Sequence, residues 1–324
     1  MPILVTGAAG FIASTVSRLL LEEGKEVVAV DNLNNAYDPR LKHHRLEALR
    51  QHDNFTFHEL DLEDRDSLKK VFADNEFEAV LNLAARAGVR YSMENPYVYM
   101  TTNGMGTLNI LELMREFGVK KHVLASTSSL YAGQPMPYVE TAPVNSPISP
   151  YAASKKAAEV MAYAYKHLHG IDSTICRYFT VYGPAGRPDM SVFRFTRWID
   201  NGEPIIMYGD GEQSRDFTYV DDIARGTIAA MKPLGYEIIN LGGGQNPISM
   251  NKVINMLEDR LGKKANVNYL DEHIADVRET FADISKAKEL LGWEPQIGLE
   301  EGLDKTVAWY RENHDLACEL DLMV

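Results

Sequence analysis

The 324-residue chain has only two cysteines, and none of its apolar runs approaches the roughly 20 residues that a membrane-spanning helix needs. Two cysteines give no disulfide framework, and Cys176 stands in an apolar segment where a buried free thiol is expected. A strand-like run begins at Ile3, which leaves no space for a signal peptide. We therefore expect a cytoplasmic protein that does not bind a membrane.

Basic residues are also in short supply. Lysine and arginine number 33 against 46 aspartates and glutamates, which gives a formal net charge of −13. Such an acidic chain does not favour nucleic acid or an anionic membrane surface as a partner. The sequence has no cluster of histidine and cysteine with metal-ligand spacing, so we predict no metal site. If the ligand is a polyanion, a few particular arginines must form a local positive pocket.

Strand and helix patterns alternate through the first half of the chain, which predicts a Rossmann-type, doubly wound parallel α/β sheet. The strand-like segments are Ile3–Gly7, Val27–Asp31, Phe55–Leu60, Ala79–Ala85, His122–Thr127, Ser173–Phe179 and Glu237–Leu241. After about Thr180 the alternation breaks, which indicates a smaller, mixed α/β C-terminal substrate domain. The predicted division is 1–179 with 218–244 for the domain built on the sheet, and 180–217 with 245–324 for the substrate domain.

A glycine-rich turn, Gly7-Ala8-Ala9-Gly10, separates the first strand from the first helix. Glycine permits the tight turn there and lets backbone N–H groups approach a pyrophosphate at the helix N-terminus. The second strand ends at Asp31, at the usual offset of about 20 residues, where a carboxylate can accept hydrogen bonds from ribose hydroxyls. Because that carboxylate would repel a 2′-phosphate, the pattern predicts NAD rather than NADP.

Tyr151 and Lys155 stand one helical turn apart, after an N-cap at Ser149 and a proline at the first helical position. Tyrosine has a pKa near 10, too high for a base at neutral pH. A neighbouring ammonium and the positive end of the helix dipole favour the phenolate. Thr127 ends a strand, so its hydroxyl is expected at the same carboxyl edge of the sheet as Asp31.

Together these motifs resemble the extended short-chain dehydrogenases/reductases, in particular the NAD-dependent sugar-nucleotide epimerases. The resemblance covers nearly the whole chain, although Ala13 replaces the usual third glycine of the loop. It implies a tightly bound NAD that is regenerated in each cycle, and Tyr151, Lys155 and Thr127 as catalytic residues. It also implies a homodimer formed by the helices Gly106–Phe117 and Tyr151–His169. The implied cofactor-binding residues are Gly7, Ala9, Gly10, Phe11, Ile12, Asp31, Asn32, Asp61, Leu62, Leu83, Ala84, Ala85, Tyr151, Lys155 and Tyr178.

The two residues after Thr127 bear on the reaction. Sugar-nucleotide dehydratases carry an Asp-Glu pair there and uronate decarboxylases typically carry a glutamate, whereas this chain has Ser128 and Ser129. A hydroxyl cannot replace a carboxylate as general acid or base at neutral pH. The sequence therefore favours 4-epimerisation through a transient 4-keto sugar, with hydride removed from C4 and returned to its other face.

Three segments resemble the UDP-glucuronate 4-epimerases more closely than the wider family: Asp31–Asp38, Ala85–Ser92 and Tyr182–Met190. Glutamine is more usual at Arg86. In that group the arginine at position 187 faces the sugar carboxylate, which a planar guanidinium can grip with two parallel hydrogen bonds. The implied conversion is UDP-glucuronate to UDP-galacturonate. The implied substrate-binding residues are Arg90, Thr127, Ser128, Ser129, Tyr151, Thr180, Arg187, Arg215 and Arg278.

Three alternatives stay open. The chain could be a UDP-glucuronate decarboxylase, since oxidation at C4 makes a β-keto acid that loses CO₂ readily, or a 4-epimerase of a neutral UDP-hexose. It could also be a catalytically silent NAD-sensing regulator on the same fold. The intact Thr127, Tyr151 and Lys155 weigh against a regulator, because a binding module needs none of them.

Overall fold

The structure is a computed structural model that describes residues 1–244, 247–272 and 277–322. Strands and helices alternate up to residue 178. The strands are β1 (Ile3–Thr6), β2 (Val27–Asp31), β3 (Phe55–Glu59), β4 (Ala79–Asn82), β5 (Lys121–Thr127) and β6 (Asp172–Tyr178). The helices are α1 (Phe11–Glu22), α2 (Pro39–Leu49), α3 (Arg65–Ala73), α4 (Val89–Glu94), α5 (Tyr97–Tyr99), α6 (Gly106–Phe117) and α7 (Pro150–His169). A π-helix (Met100–Met105) precedes α6, and a 3₁₀ helix (Ser128–Tyr131) follows β5.

The remainder of the chain mixes short strands with helices. Its strands are β7 (Thr180–Tyr182), β8 (Pro204–Tyr208), β9 (Ser214–Arg215), β10 (Phe217–Tyr219), β11 (Tyr236–Leu241), β12 (Ile248–Ser249) and β13 (Asn266–Leu270). Its helices are α8 (Ser191–Asn201), α9 (Val220–Ala229), α10 (Met250–Leu261), α11 (Ser285–Leu291), α12 (Leu299–Glu312) and α13 (His314–Glu319). Within the described ranges, none of the helices combines the length and apolar character that a bilayer span requires.

Seven parallel strands form the central sheet, in the order β11-β6-β5-β4-β1-β2-β3. Strands β1 and β4 are buried at every position because helices cover both faces of the sheet. The order reverses between β1 and β4, and a doubly wound sheet binds ligands at such a switch point. Thr6, the last residue of β1, pairs with Val30 of β2 and Asn82 of β4, so the loops after these strands leave from one edge. The predicted Rossmann-type fold is confirmed.

The predicted return of residues 218–244 to the sheet holds for β11 but not for β10. Strand β11 pairs with β6 at the sheet edge, whereas β10 pairs with β7 in a separate two-stranded sheet. That pairing connects the two predicted domains across their boundary. The division into domains stays a prediction, and its second junction adjoins residues 245–246, which lie outside the described ranges.

A second apolar core lies beneath α8, α10 and α12. Its buried side chains include Trp198, Leu257 and Tyr310, and Tyr37 and Leu41 of the α2 region also pack into it. Leu320 and Leu322 of the C-terminal tail are buried in the same core. The α2 region therefore joins the glycine-rich half of the chain to the part that follows the sheet.

Candidate active site

The glycine-rich loop has the geometry that a dinucleotide requires. Gly7 has a φ of +70°, and a Cβ there would lie 2.7 Å from the Cα of Ala84, so no other residue fits without displacing backbone. Gly10 occupies the cap position of α1 and has no side chain to cover the first N–H groups of that helix. These groups are open to an anion such as a pyrophosphate. Ala13 is buried in the core, which explains why alanine is tolerated there.

Asp31 braces this loop. Its carboxylate accepts hydrogen bonds from the backbone N–H groups of Ala9 (3.1 Å) and Leu33 (2.8 Å), and the ammonium of Lys42 lies 3.8 Å away. Lys42 is buried, and the sequence pattern had assigned it no role in a site. Asp31 therefore holds the cofactor loop in place through its own hydrogen bonds, in addition to its predicted contact with a ribose.

The other residues predicted on the cofactor side fall into two groups. Asn32 donates to the carboxylate of Asp61 at 2.6 Å, and Leu62 is buried beside them. Leu83, Ala84 and Ala85 follow β4, where Ala84 abuts Gly7. The Tyr178 side chain points instead into the core, and its hydroxyl lies 2.8 Å from that of Thr227. Tyr178 can therefore face the cofactor loop only with its backbone, so its cofactor role stays a prediction.

The predicted catalytic residues lie where β5 ends and α7 begins. The Ser149 hydroxyl accepts a hydrogen bond from the N–H of Ala152 and caps α7, as predicted. Thr127 ends β5, and its hydroxyl is close enough to the Tyr151 phenol to lower the pKa of that phenol. Lys155 is buried one turn further along α7 and donates to the carbonyl of Ala125 at 3.0 Å. The structure thus places Thr127 beside Tyr151, with Lys155 buried one helical turn away.

The electrostatics of this cluster are set mainly by burial. Burial raises the pKa of Tyr151, while the hydroxyl of Thr127 and the charge of Arg187 lower it without offsetting burial. Burial lowers the pKa of Lys155 to about 8, and the nearby charge of Glu159 opposes that shift. In the chain alone Tyr151 is therefore a phenol at neutral pH, and a further positive charge would be needed to favour its phenolate.

Two buried polar groups that sequence reasoning missed support α7. Glu159, one turn after Lys155, makes a bidentate ion pair with Arg177 (2.7 and 2.8 Å) and accepts from the Ser126 hydroxyl at 2.7 Å. Asn103, in the π-helix, donates to the hydroxyl of Ser154 at 2.9 Å. The glutamate could have been noticed as an acid on the apolar face of a helix. Nothing in the sequence marked the asparagine.

We expect Lys155→Met to be more stable than the wild type at pH 7. Lowering the pKa of a lysine from 10.5 to about 8 corresponds to about 3 kcal/mol of unfavourable burial, which the substitution removes. The substitution also removes the hydrogen bond to Ala125, which lowers the free energy of unfolding by about 1 kcal/mol. The folded-state pKa lies below the unfolded one, so the wild-type penalty is full below pH 8 and disappears as the pH rises to 10.5. Urea unfolding at pH 7 and pH 10 measures this difference. Exposed Lys166→Met is the matched control, and a variant less stable than the wild type at pH 7 contradicts the expectation.

On the predicted sugar side, Thr180 and Arg187 line a pocket together with Phe11 from the cofactor loop. The Nε and Nη2 atoms of Arg187 bind the carboxylate of Asp189 at 3.0 and 2.6 Å. One edge of the guanidinium is therefore occupied by Asp189, and Nη1 lies on the other edge. Arg187 and Tyr151 are close enough that each charge affects the pKa of the other.

The two serines after Thr127 lie in the 3₁₀ helix. The N–H of Ser129 donates to the Thr127 hydroxyl at 3.1 Å, and the hydroxyls of Thr127 and Ser129 are also 3.1 Å apart. Ser128 is the first residue of this helix. Ser129 therefore adds a second hydroxyl beside that of Thr127.

Of the three further arginines that were predicted to bind substrate, Arg278 lines a second pocket, together with Tyr208, Asp210 and Glu272. The Arg90 guanidinium lies 4.3 Å from the centroid of the Tyr208 ring, and Arg215 donates to the backbone carbonyl of Arg278 at 3.4 Å. Arg278 forms an ion pair with Asp210 at 3.4 Å, so part of its positive charge is already balanced. The role of these arginines in binding a diphosphate stays a prediction. Among the described residues, no group of three or more His, Cys, Asp or Glu side chains could hold a metal ion.

Comparison with known proteins adds the following. Residues 3–242 match the model of the NAD dependent epimerase/dehydratase family. A UDP-glucuronate 4-epimerase of Thermodesulfobacterium geofontis (strain OPF15) is 61% identical over 97% of both chains. The Bacillus cereus UDP-glucuronic acid 4-epimerase, solved with UDP-glucuronic acid and NAD, superposes with a TM-score of 0.90 at 37% identity, covering 96% of this chain and 99% of that one. The Thermotoga maritima UDP-glucose 4-epimerase, solved with UDP-glucose, has a TM-score of 0.88 at 36% identity, covering 97% and 100%.

Proposed function

Since this chain belongs to the NAD dependent epimerase/dehydratase family, we propose that it is a UDP-sugar 4-epimerase that interconverts UDP-glucuronate and UDP-galacturonate. The observation that carries the choice of sugar is the position of Arg187 next to Tyr151. A guanidinium with one open edge beside the catalytic phenol is a receptor for a carboxylate attached close to the reacting carbon.

In this proposal each residue has a defined part. Thr127 orients the C4 hydroxyl, and Tyr151 takes its proton in one half of the cycle and returns it in the other. Lys155 keeps a positive charge close to the phenol, which favours the phenolate when that proton has been taken. NAD, when bound, supplies the reversible oxidation of C4 and is not consumed. The residues that would hold it are those of the loop 7–12, Asp31, Asn32, Asp61, Leu62 and the segment 83–85.

Decarboxylation is the main competing reaction, because a 4-keto uronate is a β-keto acid. Ser128 and Ser129 provide no acid or base that would assist it. We propose that Thr127, Ser128, Thr180 and Arg187 restrain the carboxylate in an orientation that disfavours the loss of CO₂. The restraint rests on hydroxyls and one guanidinium, which bind the carboxylate without transferring a proton to the sugar.

The decisive experiment is to incubate the purified protein with UDP-glucuronate, without added NAD, and to follow the products by NMR. UDP-galacturonate is the expected product, and its formation would establish both the epimerisation and a retained cofactor. UDP-xylose or a 4-keto pentose would replace the proposal with a decarboxylase. Turnover of UDP-glucose or a UDP-N-acetylhexosamine, but not of UDP-glucuronate, would replace it with a neutral-sugar epimerase.

We also propose that two copies pair through α6 and α7. Apolar side chains on these helices stay exposed in one chain: Val160, Tyr163 and Leu168 on α7 are 51%, 56% and 67% exposed, and Phe117 on α6 is 36% exposed. Apolar residues grouped on adjacent helices are typical of a protein interface. Light scattering is expected to give twice the 36.3 kDa of one chain. A monomer at micromolar concentration would contradict this proposal.

The cytoplasmic location of the protein stays a prediction.

A further inference from the structure

A side-chain bridge crosses the carboxyl end of β1. Strand β1 lies between β4 and β2 in the sheet, and its last residue is level with both neighbours. Arg86 follows β4 and Asn34 follows β2, yet the Nη1 atom of Arg86 lies 3.2 Å from the Oδ1 atom of Asn34. The side chain of Arg86 must therefore reach across the position where β1 runs into the glycine-rich loop.

The backbone of Arg86 is held firmly, whereas its guanidinium is held by only a few contacts. The backbone N–H and carbonyl of Arg86 are both hydrogen-bonded to the buried side chain of Asn103, at 2.9 and 3.0 Å. The guanidinium is held by one hydrogen bond to Asn34 and by the ring of Tyr91, whose centroid is 5.8 Å away. A long side chain on a rigid base can swing away and return without any change in the sheet.

Among the described residues, no nearby carboxylate balances the positive charge of the Arg86 guanidinium. The Oδ1 atom of Asn34 also accepts from the ammonium of Lys42 at 3.2 Å, so two cations share one neutral acceptor. Lys42 has Asp31 as a partner, whereas in the described part of the chain no carboxylate lies within 4.0 Å of the Arg86 guanidinium. The pKa of Lys42 is lowered by burial first, and the charges of Arg45, Arg86 and Arg187 add to that shift. An anion between these cations would relieve their repulsion.

We propose that Arg86 is a clasp over the dinucleotide, which binds its diphosphate from the side opposite the α1 N-terminus and slows its release. The proposal rests on the proposed function in one respect, namely that the chain carries a dinucleotide cofactor through many cycles. It assigns Arg86 to retention of the cofactor rather than to the sugar. The diphosphate is the chemical group that the position selects, because the bridge crosses the loop built for it.

The test measures NAD retention without any sugar present. The holoenzyme is passed through a desalting column, and the NAD remaining after increasing times is extracted and quantified by chromatography. We expect Arg86→Gln to release NAD about ten times faster than the wild type, the effect of one charge-assisted hydrogen bond. The rate of NAD release from Arg86→Lys should lie between those of the wild type and Arg86→Gln, because lysine keeps the positive charge but lacks the planar guanidinium. Retention in the wild type should also weaken at high salt.

Arg65→Gln is the matched control, because this exposed arginine pairs with Glu116 of α6 and the substitution removes the same charge. Equal NAD release from Arg86→Gln and the wild type, or equally fast release from Arg65→Gln, would overturn the clasp. Unchanged NAD retention with weaker binding of UDP-glucuronate would make Arg86 a substrate residue instead. Failure of the wild type to epimerise UDP-glucuronate, with its NAD retained, would count against the proposed function alone.

Discussion

Tyr151→Phe is expected to lower the turnover of UDP-glucuronate by about a thousandfold, the middle of the range for a residue that transfers the reacting proton. The substitution removes only the phenolic oxygen, the atom that lies near the Thr127 hydroxyl and is affected by the charge of Arg187. The aromatic ring of Tyr99, whose centroid lies 6.0 Å from that of Tyr151, keeps its packing partner. The loss should therefore appear in kcat, as measured by NMR or a coupled assay.

Two measurements separate this effect from damage to the fold. The NAD content of the purified variant and its affinity for UDP should match those of the wild type, because neither depends on the phenolic proton. Tyr97→Phe makes the same chemical change on a side chain that is 80% exposed and should retain full activity. If Tyr151→Phe kept more than about a tenth of wild-type turnover, another group would have to be the acid and base.

Arg187→Ala is expected to lower kcat/KM for UDP-glucuronate by about a hundredfold and to increase the share of pentose among the products. Two charge-assisted hydrogen bonds to the carboxylate account for about 3 kcal/mol, which corresponds to that factor. The share of pentose should rise because a 4-keto uronate that is not held at its carboxylate can adopt the orientation from which CO₂ leaves. Product analysis by NMR reports both effects in one experiment.

The partner of Arg187 complicates this experiment in a way that can be controlled. Removing the arginine leaves Asp189 unpaired beside the predicted sugar pocket, and its carboxylate would repel the substrate. The double variant Arg187→Ala/Asp189→Ala removes that repulsion, so activity that stays low in it belongs to the lost guanidinium. UDP-glucose, which has no carboxylate, is the substrate control. If both sugars lose activity equally, or if neither activity nor the pentose share changes, Arg187 does not recognise the carboxylate.

Most of the fold could be predicted from local patterns. The helix Gly106–Phe117 has the predicted bounds, because periodic apolar residues and a glycine after the last turn define it. Strand β10 could not be placed in this way. The partner strand of a three-residue strand cannot be predicted from its own sequence, and the pairing of β10 with β7 depends on how the chain returns after α8.

The residues of the candidate site also fall into two groups, those that local sequence motifs predict and those that they do not. Motifs with short spacing, such as Gly7 to Gly10 and Tyr151 to Lys155, can be recognised because one turn or one helix sets their geometry. Glu159 and Arg177 are 18 residues apart, and Arg86 and Asn34 are 52 apart. Each of these pairs forms only because separate strands and helices meet. Neighbours across the fold leave no periodic signal in a single sequence.

The sequence by itself determined the family, the parallel sheet and the NAD loop, and it selected the candidate catalytic groups. It did so because each depends on residues that are close along the chain or on strand ends that share one edge of a sheet. Only the tertiary structure decided how those groups are charged and held. Burial sets the pKa of Lys155, Asp189 occupies one edge of Arg187, and Arg86 crosses β1. Desolvation and contacts between distant segments arise from packing, which exists only once the chain has folded.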